Sequence, residues 1–196
     1  MAYDKIGKAP KVKDRWYGDH KYRQRRDLTP RELKDEPQFK LDDLYIMPFT
    51  RQRRYSEDGR VSYVPIERNL KPTGIRIMDD FLRSLTAGHA DVAAFCKRYG
   101  ARTSDIDSII FLFTGMRGVD FRQAYQLRLA DNPLRYTSLP VADVAKRSGF
   151  GSRVNLYFAY QRDLKTTPSD RREKLRQQGD EDRYRMEKSI GHSTHK

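Results

Sequence analysis

The stretch from Thr137 to Arg172, TSLPVADVAKRSGFGSRVNLYFAYQRDLKTTPSDRR, constrains this chain more than any other part of it. Its apolar residues recur at helical spacing, and Gly and Pro divide it into three short segments. Ser138 can cap, and Pro140 pre-sets, the first turn of a helix carrying Val141, Val144 and Ala145. Lys146 and Arg147 stand near its end, and Gly149 closes it. Ser152 can cap a second helix, in which Leu156, Tyr160 and Leu164 fall at i, i+4 and i+8 and are expected to pack inward. Thr167, Pro168 and Asp170 supply a cap, a first-turn proline and a weak capping box, so a third helix is expected there. A helix, a Gly-marked turn and a second helix make a helix-turn-helix unit.

The second helix leaves Arg153, Val154, Asn155, Tyr157, Phe158 and Gln161 on outward or flanking faces. Two exposed aromatics beside an arginine exceed what solubility requires. A helix lying in a major groove uses Arg for guanine edges and apolar groups for thymine methyls.

Pro140, Gly149, Phe150, Leu156, Tyr160, Thr167, Pro168 and Ser169 also stand in a family pattern. The run from Pro140 to Arg172 resembles the second helix-turn-helix of AraC-type transcription regulators. The resemblance implies an all-α fold of two helix-turn-helix units joined by a linker helix. It covers roughly residues 89 to 172, with the first unit from about His89 to Gly115 and the linker from about Asp120 to Arg135. It implies double-stranded DNA as partner, with Arg153, Asn155, Tyr157 and Gln161 at the bases. Arg102, Arg122, Lys146, Arg147, Arg162 and Arg171 would then contact phosphate.

An internal repeat points the same way. Cys96-Lys97-Arg98-Tyr99-Gly100 returns as Ala145-Lys146-Arg147-Ser148-Gly149, each time followed by a Thr or Ser that can open a helix. In the upstream copy Thr103 is the expected cap, and Ile106, Ile109, Ile110 and Phe113 form an apolar stripe. The copies differ in chemistry. Ser104, Asp105, Asp107 and Ser108 occupy the positions expected to face DNA, and carboxylates there repel phosphate and acceptor-rich groove edges. That favours a first unit off the duplex or against protein. The competing reading is an assembly subunit that reuses the fold, with Asp105, Asp107, Tyr157 and Phe158 buried against a protein partner and the N-terminal arm on RNA or a neighbour.

Charge agrees with a polyanionic partner. Lys and Arg number 40 against 27 Asp and Glu, a formal net charge of +13, so binding to nucleic acid should be salt-dependent. Residues 1–71 form a basic extended arm, aromatic and poor in aliphatics up to about Lys40, which reads first as a solvated, disordered segment. The sharper alternative is an arm that tracks nucleic-acid backbone, with Trp16, Tyr17 and Tyr22 able to stack on unpaired bases. Alternation around Asp58-Gly59 predicts a β-hairpin near 51–66, with Tyr55, Val61 and Tyr63 pairing across it. A lone two-stranded hairpin is marginal in water, so it should pack on something. Ile77, Met78, Phe81, Leu82 and Leu85 predict an opening helix for a domain spanning 72–172. The tail 173–196 is charged, anchored by Leu175, and expected to stay helical to about Gln178 before fraying.

Little points to catalysis. Cys96 falls on an apolar helix face and reads as a core residue. His192 and His195 lack further ligands for a zinc site, and Asp42-Asp43 and Asp79-Asp80 read as solvated helix or turn carboxylates. No cofactor or metal is expected, and the first 71 residues look too few and too polar for a ligand-sensing sheet domain. No run of 18 apolar residues or signal core occurs, so a cytoplasmic location is the default expectation.

Overall fold

In a computed structural model, residues 33, 35–89, 91–177 and 181–186 are described. The arm aromatics Trp16, Tyr17 and Tyr22 and the tail histidines His192 and His195 lie outside the described residues. In chain order the elements are a single helical turn α1 (Leu41–Leu44), strands β1 (Arg51–Tyr55) and β2 (Val61–Pro65), and helices α2 (Arg76–Thr86), α3 (Val92–Arg98) and α4 (Thr103–Thr114). Beyond them lie a long helix α5 (Gly118–Tyr136), helices α6 (Val141–Arg147), α7 (Arg153–Leu164) and α8 (Pro168–Arg176), and a short strand β3 (Tyr184–Arg185).

Helix α5 organises two cores because it is apolar on two faces. Phe121, Tyr125 and Leu129 come at four-residue steps on one side and are buried with α2, α3 and α4. Leu127, Ala130 and Leu134 lie about half a turn round the axis and are buried with α6 and α7. In the first core α2 supplies Met78, Phe81, Leu82 and Leu85, and α4 supplies Ile106 and Ile110, as the stripes predict. Cys96 is buried there too, and burial raises its thiol pKa, which makes it a core residue and a poor nucleophile. In the second core Val144 and Ala145 of α6 meet Leu156, Ala159 and Tyr160 of α7, with Leu175 of α8 packed against them.

Several helix ends differ from their sequence expectation. Pro140 is itself the N-cap of α6, with no side-chain cap, so Ser138 does not open this helix. Thr103 is the first residue of α4, and Asp105 satisfies the N-cap by accepting from the Arg102 backbone N–H at 2.8 Å. Ser152 and Thr167 do cap, accepting from the N–H groups of Asn155 and Asp170. Leu164 is 39% exposed instead of buried, because i+8 lies about 80° round from i and Lys165 ends the helix in a left-handed conformation.

The largest differences concern the segments outside the helical unit. Residues 39–49 are not part of a solvated arm. Leu44 and Ile46 sit in the first core, the Phe39 N–H donates to the Phe113 carbonyl, and the Ile46 N–H donates to the Tyr125 hydroxyl at 3.0 Å. Asp42 pairs with Arg128 of α5, and Asp43 caps α1 by accepting from the Lys40 N–H at 2.7 Å. Asp79 is buried and accepts from the Thr73 hydroxyl at 2.7 Å and its N–H at 2.9 Å, which fastens the loop entering α2. The tail does not simply fray after α8 either. Helix α8 ends at Arg176, and β3 then pairs with β1, Arg51 opposite Arg185 and Gln52 opposite Tyr184. The hairpin forms as expected, Tyr55 opposite Val61 and Arg53 opposite Tyr63, and β3 completes a sheet of order β2-β1-β3. Tyr184 stacks on buried Phe49 at 5.4 Å, and Phe49 meets Tyr136 at the end of α5 edge-on, so the sheet is seated on the linker helix.

The end of α2 and the end of α6 approach closely at Gly88. Its φ is +81°, and a Cβ built there would lie 2.6 Å from the Arg147 carbonyl oxygen. Gly100 has a comparable φ of +63° with open space around it. Gly100→Ala should therefore cost about 1 kcal/mol of conformational strain, and Gly88→Ala at least twice that, because backbone must also move. Urea denaturation of the two variants side by side measures the difference. Equal losses would mean that the helix ends do not meet here.

Candidate nucleic-acid interface

Helix α7 has an outward face that packing does not explain. Leu156, Ala159 and Tyr160 turn into the core, which leaves Val154, Tyr157, Phe158 and Gln161 within about 60° of one line along the other side. Val154, Tyr157 and Phe158 are 60%, 43% and 64% exposed, and Gln161 is half-buried. The two aromatic rings meet edge to face at 5.8 Å, forming a small apolar ridge, and Arg153 is exposed in the first turn beside it. Asn155 behaves differently from its neighbours. Its Nδ2 donates to the Phe150 carbonyl at 3.0 Å, so the side chain braces the turn between α6 and α7.

The six cations expected at phosphate fall into two groups. Arg102 at the start of α4, and Lys146 and Arg147 at the end of α6, are exposed and make no salt bridge within the described residues. The other three are paired. Arg122 Nη1 lies 2.5 Å from Asp107 Oδ1, and Arg162 Nε lies 2.8 Å from Asp163 Oδ1. Arg171 grips Asp131 with Nη2 at 2.5 Å and Nε at 3.1 Å, and the Tyr160 hydroxyl donates to the same carboxylate at 2.7 Å. Burial and the Asp131 charge push the Tyr160 phenol well above its ordinary pKa, so it stays a donor. The Arg162 guanidinium, with help from Gln123, holds the Asp163 carboxyl below the usual carboxylate range.

These pairs change the meaning of the acidic residues on α4. Asp105 caps its own helix and Asp107 is neutralised by Arg122, so neither presents an uncompensated charge outward. The Tyr160-Asp131-Arg171 network, which pins α7 and α8 to the linker helix, is not among the features expected from the sequence. The available signal was Asp131 on the side of α5 that carries Leu127 and Leu134, four positions after the one and three before the other. Among the described residues no group of three or more His, Cys, Asp and Glu could hold a metal ion, and no helix is long and apolar enough to cross a membrane.

No protein-family model and no curated protein matches this sequence. Solved structures do. The DNA-binding domain of AdpA, a global transcriptional factor determined in complex with a target DNA, is 23% identical, and the match covers 53% of this chain and 93% of that one with a TM-score of 0.46. The C-terminal domain of the two-component response regulator yesN from Fusobacterium nucleatum is 15% identical over 50% of this chain and 94% of that one, TM-score 0.44. The C-terminal domain of AraT, a response regulator from Geobacillus stearothermophilus, is 14% identical over 61% and 91%, TM-score 0.45. In this chain the helices themselves form two helix-turn-helix units, α3-α4 and α6-α7, each packed on one side of the long helix α5.

Proposed function

We propose that this chain is a sequence-specific transcriptional regulator that binds double-stranded DNA, with α7 of the second unit in the major groove. The observation that carries the reading is the exposed face of α7, where Arg153, Val154, Tyr157 and Phe158 have no role in the core beneath. Arg153 suits a guanine edge, and the Tyr157 and Phe158 rings suit thymine methyl groups. Lys146 and Arg147 beside α7, and Arg102 on the first unit, supply unpaired positive charge for phosphate. Arg122, Arg162 and Arg171 serve as positioning residues, since each already holds a carboxylate. Asn155 acts in the same way, through the turn, while Gln161 lies at the far end of the reading face.

Fluorescence polarisation with a labelled duplex in about 100 mM salt tests this directly. Arg153→Ala combined with Tyr157→Ala should weaken duplex binding at least tenfold, since each good base contact is worth about 1–3 kcal/mol, and should leave the melting temperature unchanged. If the wild-type protein does not bind duplex, or if the double variant binds as well as wild type, the regulator reading fails.

A further inference from the structure

The sheet carries a second basic and aromatic surface. Strand alternation places Arg51, Arg53 and Tyr55 of β1 on one face, with Tyr63 opposite Arg53 and Arg185 opposite Arg51. The other face carries Gln52, Val64 and Tyr184, and Tyr184 stacks on buried Phe49, so the arginine face points away from the core. Arg185 lies over the Tyr63 ring at 3.7 Å and Arg53 beside the Tyr55 ring at 5.3 Å, which holds the guanidinium planes against the sheet. Tyr55 keeps 64% of its surface exposed. None of Arg51, Arg53 and Arg185 has a carboxylate partner among the described residues, although salt bridges are common elsewhere in them. The Arg53 head group instead donates to the Glu181 carbonyl at 3.2 Å, which fixes the turn before β3.

Three arginines without a carboxylate call for an anionic partner, and an exposed tyrosine among them calls for a flat one. We propose that this sheet face binds an unpaired nucleic-acid strand, with a base stacked on Tyr55 and successive phosphates held by Arg51, Arg53 and Arg185. A duplex backbone would satisfy the arginines but would leave Tyr55 without a role, because its bases are already stacked on each other. A sheet with stacking aromatics and flanking cations suits single strands, whose bases are free. The surface is built from β1, β2 and β3 alone and shares no residue with α7, so it stands apart from the duplex-reading proposal.

The full chain should be titrated with labelled oligo-dT and oligo-rU of about 15 nucleotides and with a labelled duplex. Tyr55→Ala, which removes no charge, should weaken binding of both oligonucleotides about tenfold, and Tyr55→Phe should restore it. Arg51→Ala with Arg185→Ala should lower the slope of log affinity against log salt by about 1.4, from about 0.7 for each phosphate released. Duplex affinity should change less than about twofold in each variant, whereas the α7 double variant should show the opposite pattern. Single-strand binding that is unchanged in the sheet variants overturns the proposal. So does a parallel loss of duplex binding, which would assign the face to a duplex backbone.

Discussion

Tyr125→Ala should lower the unfolding free energy by about 4 kcal/mol, a large fraction of what a domain of this size possesses. The Tyr125 side chain is fully buried in the first core, 5.3 Å from the Tyr45 ring and 5.9 Å from the Phe121 ring. Its hydroxyl accepts from the Ile46 N–H and shares a 2.7 Å hydrogen bond with the Thr86 hydroxyl. Truncation thus opens a cavity and leaves the buried Ile46 N–H without its acceptor, while the half-buried Thr86 hydroxyl keeps its bond to the Leu82 carbonyl. Tyr125→Phe keeps the ring and removes only the hydroxyl, so it should cost about 1–3 kcal/mol. Urea denaturation monitored by circular dichroism separates the two. A Phe variant as stable as wild type would show that residues 39–49 are not docked on the linker helix.

Asp131→Ala is the second substitution with a large expected effect, and it should act on binding as well as stability. The carboxylate receives Tyr160 from α7 and two guanidinium nitrogens of Arg171 from α8, so its removal leaves Arg171 without a counter-charge. Both side chains of the ion pair retain about a quarter of their exposure, which lets water soften the loss. About 2 kcal/mol is expected, less than the cost of breaking a fully buried pair. Because Tyr160 also helps seat α7, the proposed reading helix, duplex affinity should fall although Asp131 is occupied by Tyr160 and Arg171. Arg171→Ala added to Asp131→Ala should cost less than the sum of the two single changes, a coupling of about 1 kcal/mol in a double-mutant cycle. Strict additivity would mean that the Arg171-Asp131 pair contributes nothing to holding α8 on the linker helix.

The helices that serve one core were legible from spacing alone. Ile106 and Ile110, Met78 and Leu82, or Leu156 and Tyr160 have one buried face, and that face announces itself at helical period. Helix α5 was harder to bound, because apolar residues on opposite sides blur the single stripe that marks a surface helix, and it runs from Gly118 to Tyr136 with Pro133 inside it. The docking of residues 39–49 was not legible, since α1 is a single turn too short to show a period. The pairing of β3 with β1 was hidden for a similar reason: two residues, Tyr184 and Arg185, show no alternation, and their partner lies more than a hundred positions upstream.

At the candidate interface, the outward placement of Arg153, Tyr157 and Phe158 could be read from the positions of Leu156 and Tyr160. Partnership could not. Residue type alone gives no hint that Arg122 belongs to Asp107 or Arg171 to Asp131, because those pairs join different helices and depend on how the helices cross. The repulsion expected from Asp105 and Asp107 weakens for the same reason, since one carboxylate faces its own helix end and the other an arginine.

Whether α7 is the reading helix is tested most directly by a hydroxyl-radical footprint on a duplex selected for tight binding. The wild-type chain should protect a segment flanking one major groove, and the Arg153→Ala and Tyr157→Ala double variant should lose that protection while remaining folded. Protection that persists unchanged in the double variant, or is confined to a groove that α7 substitutions do not affect, would contradict α7 as the helix that reads DNA.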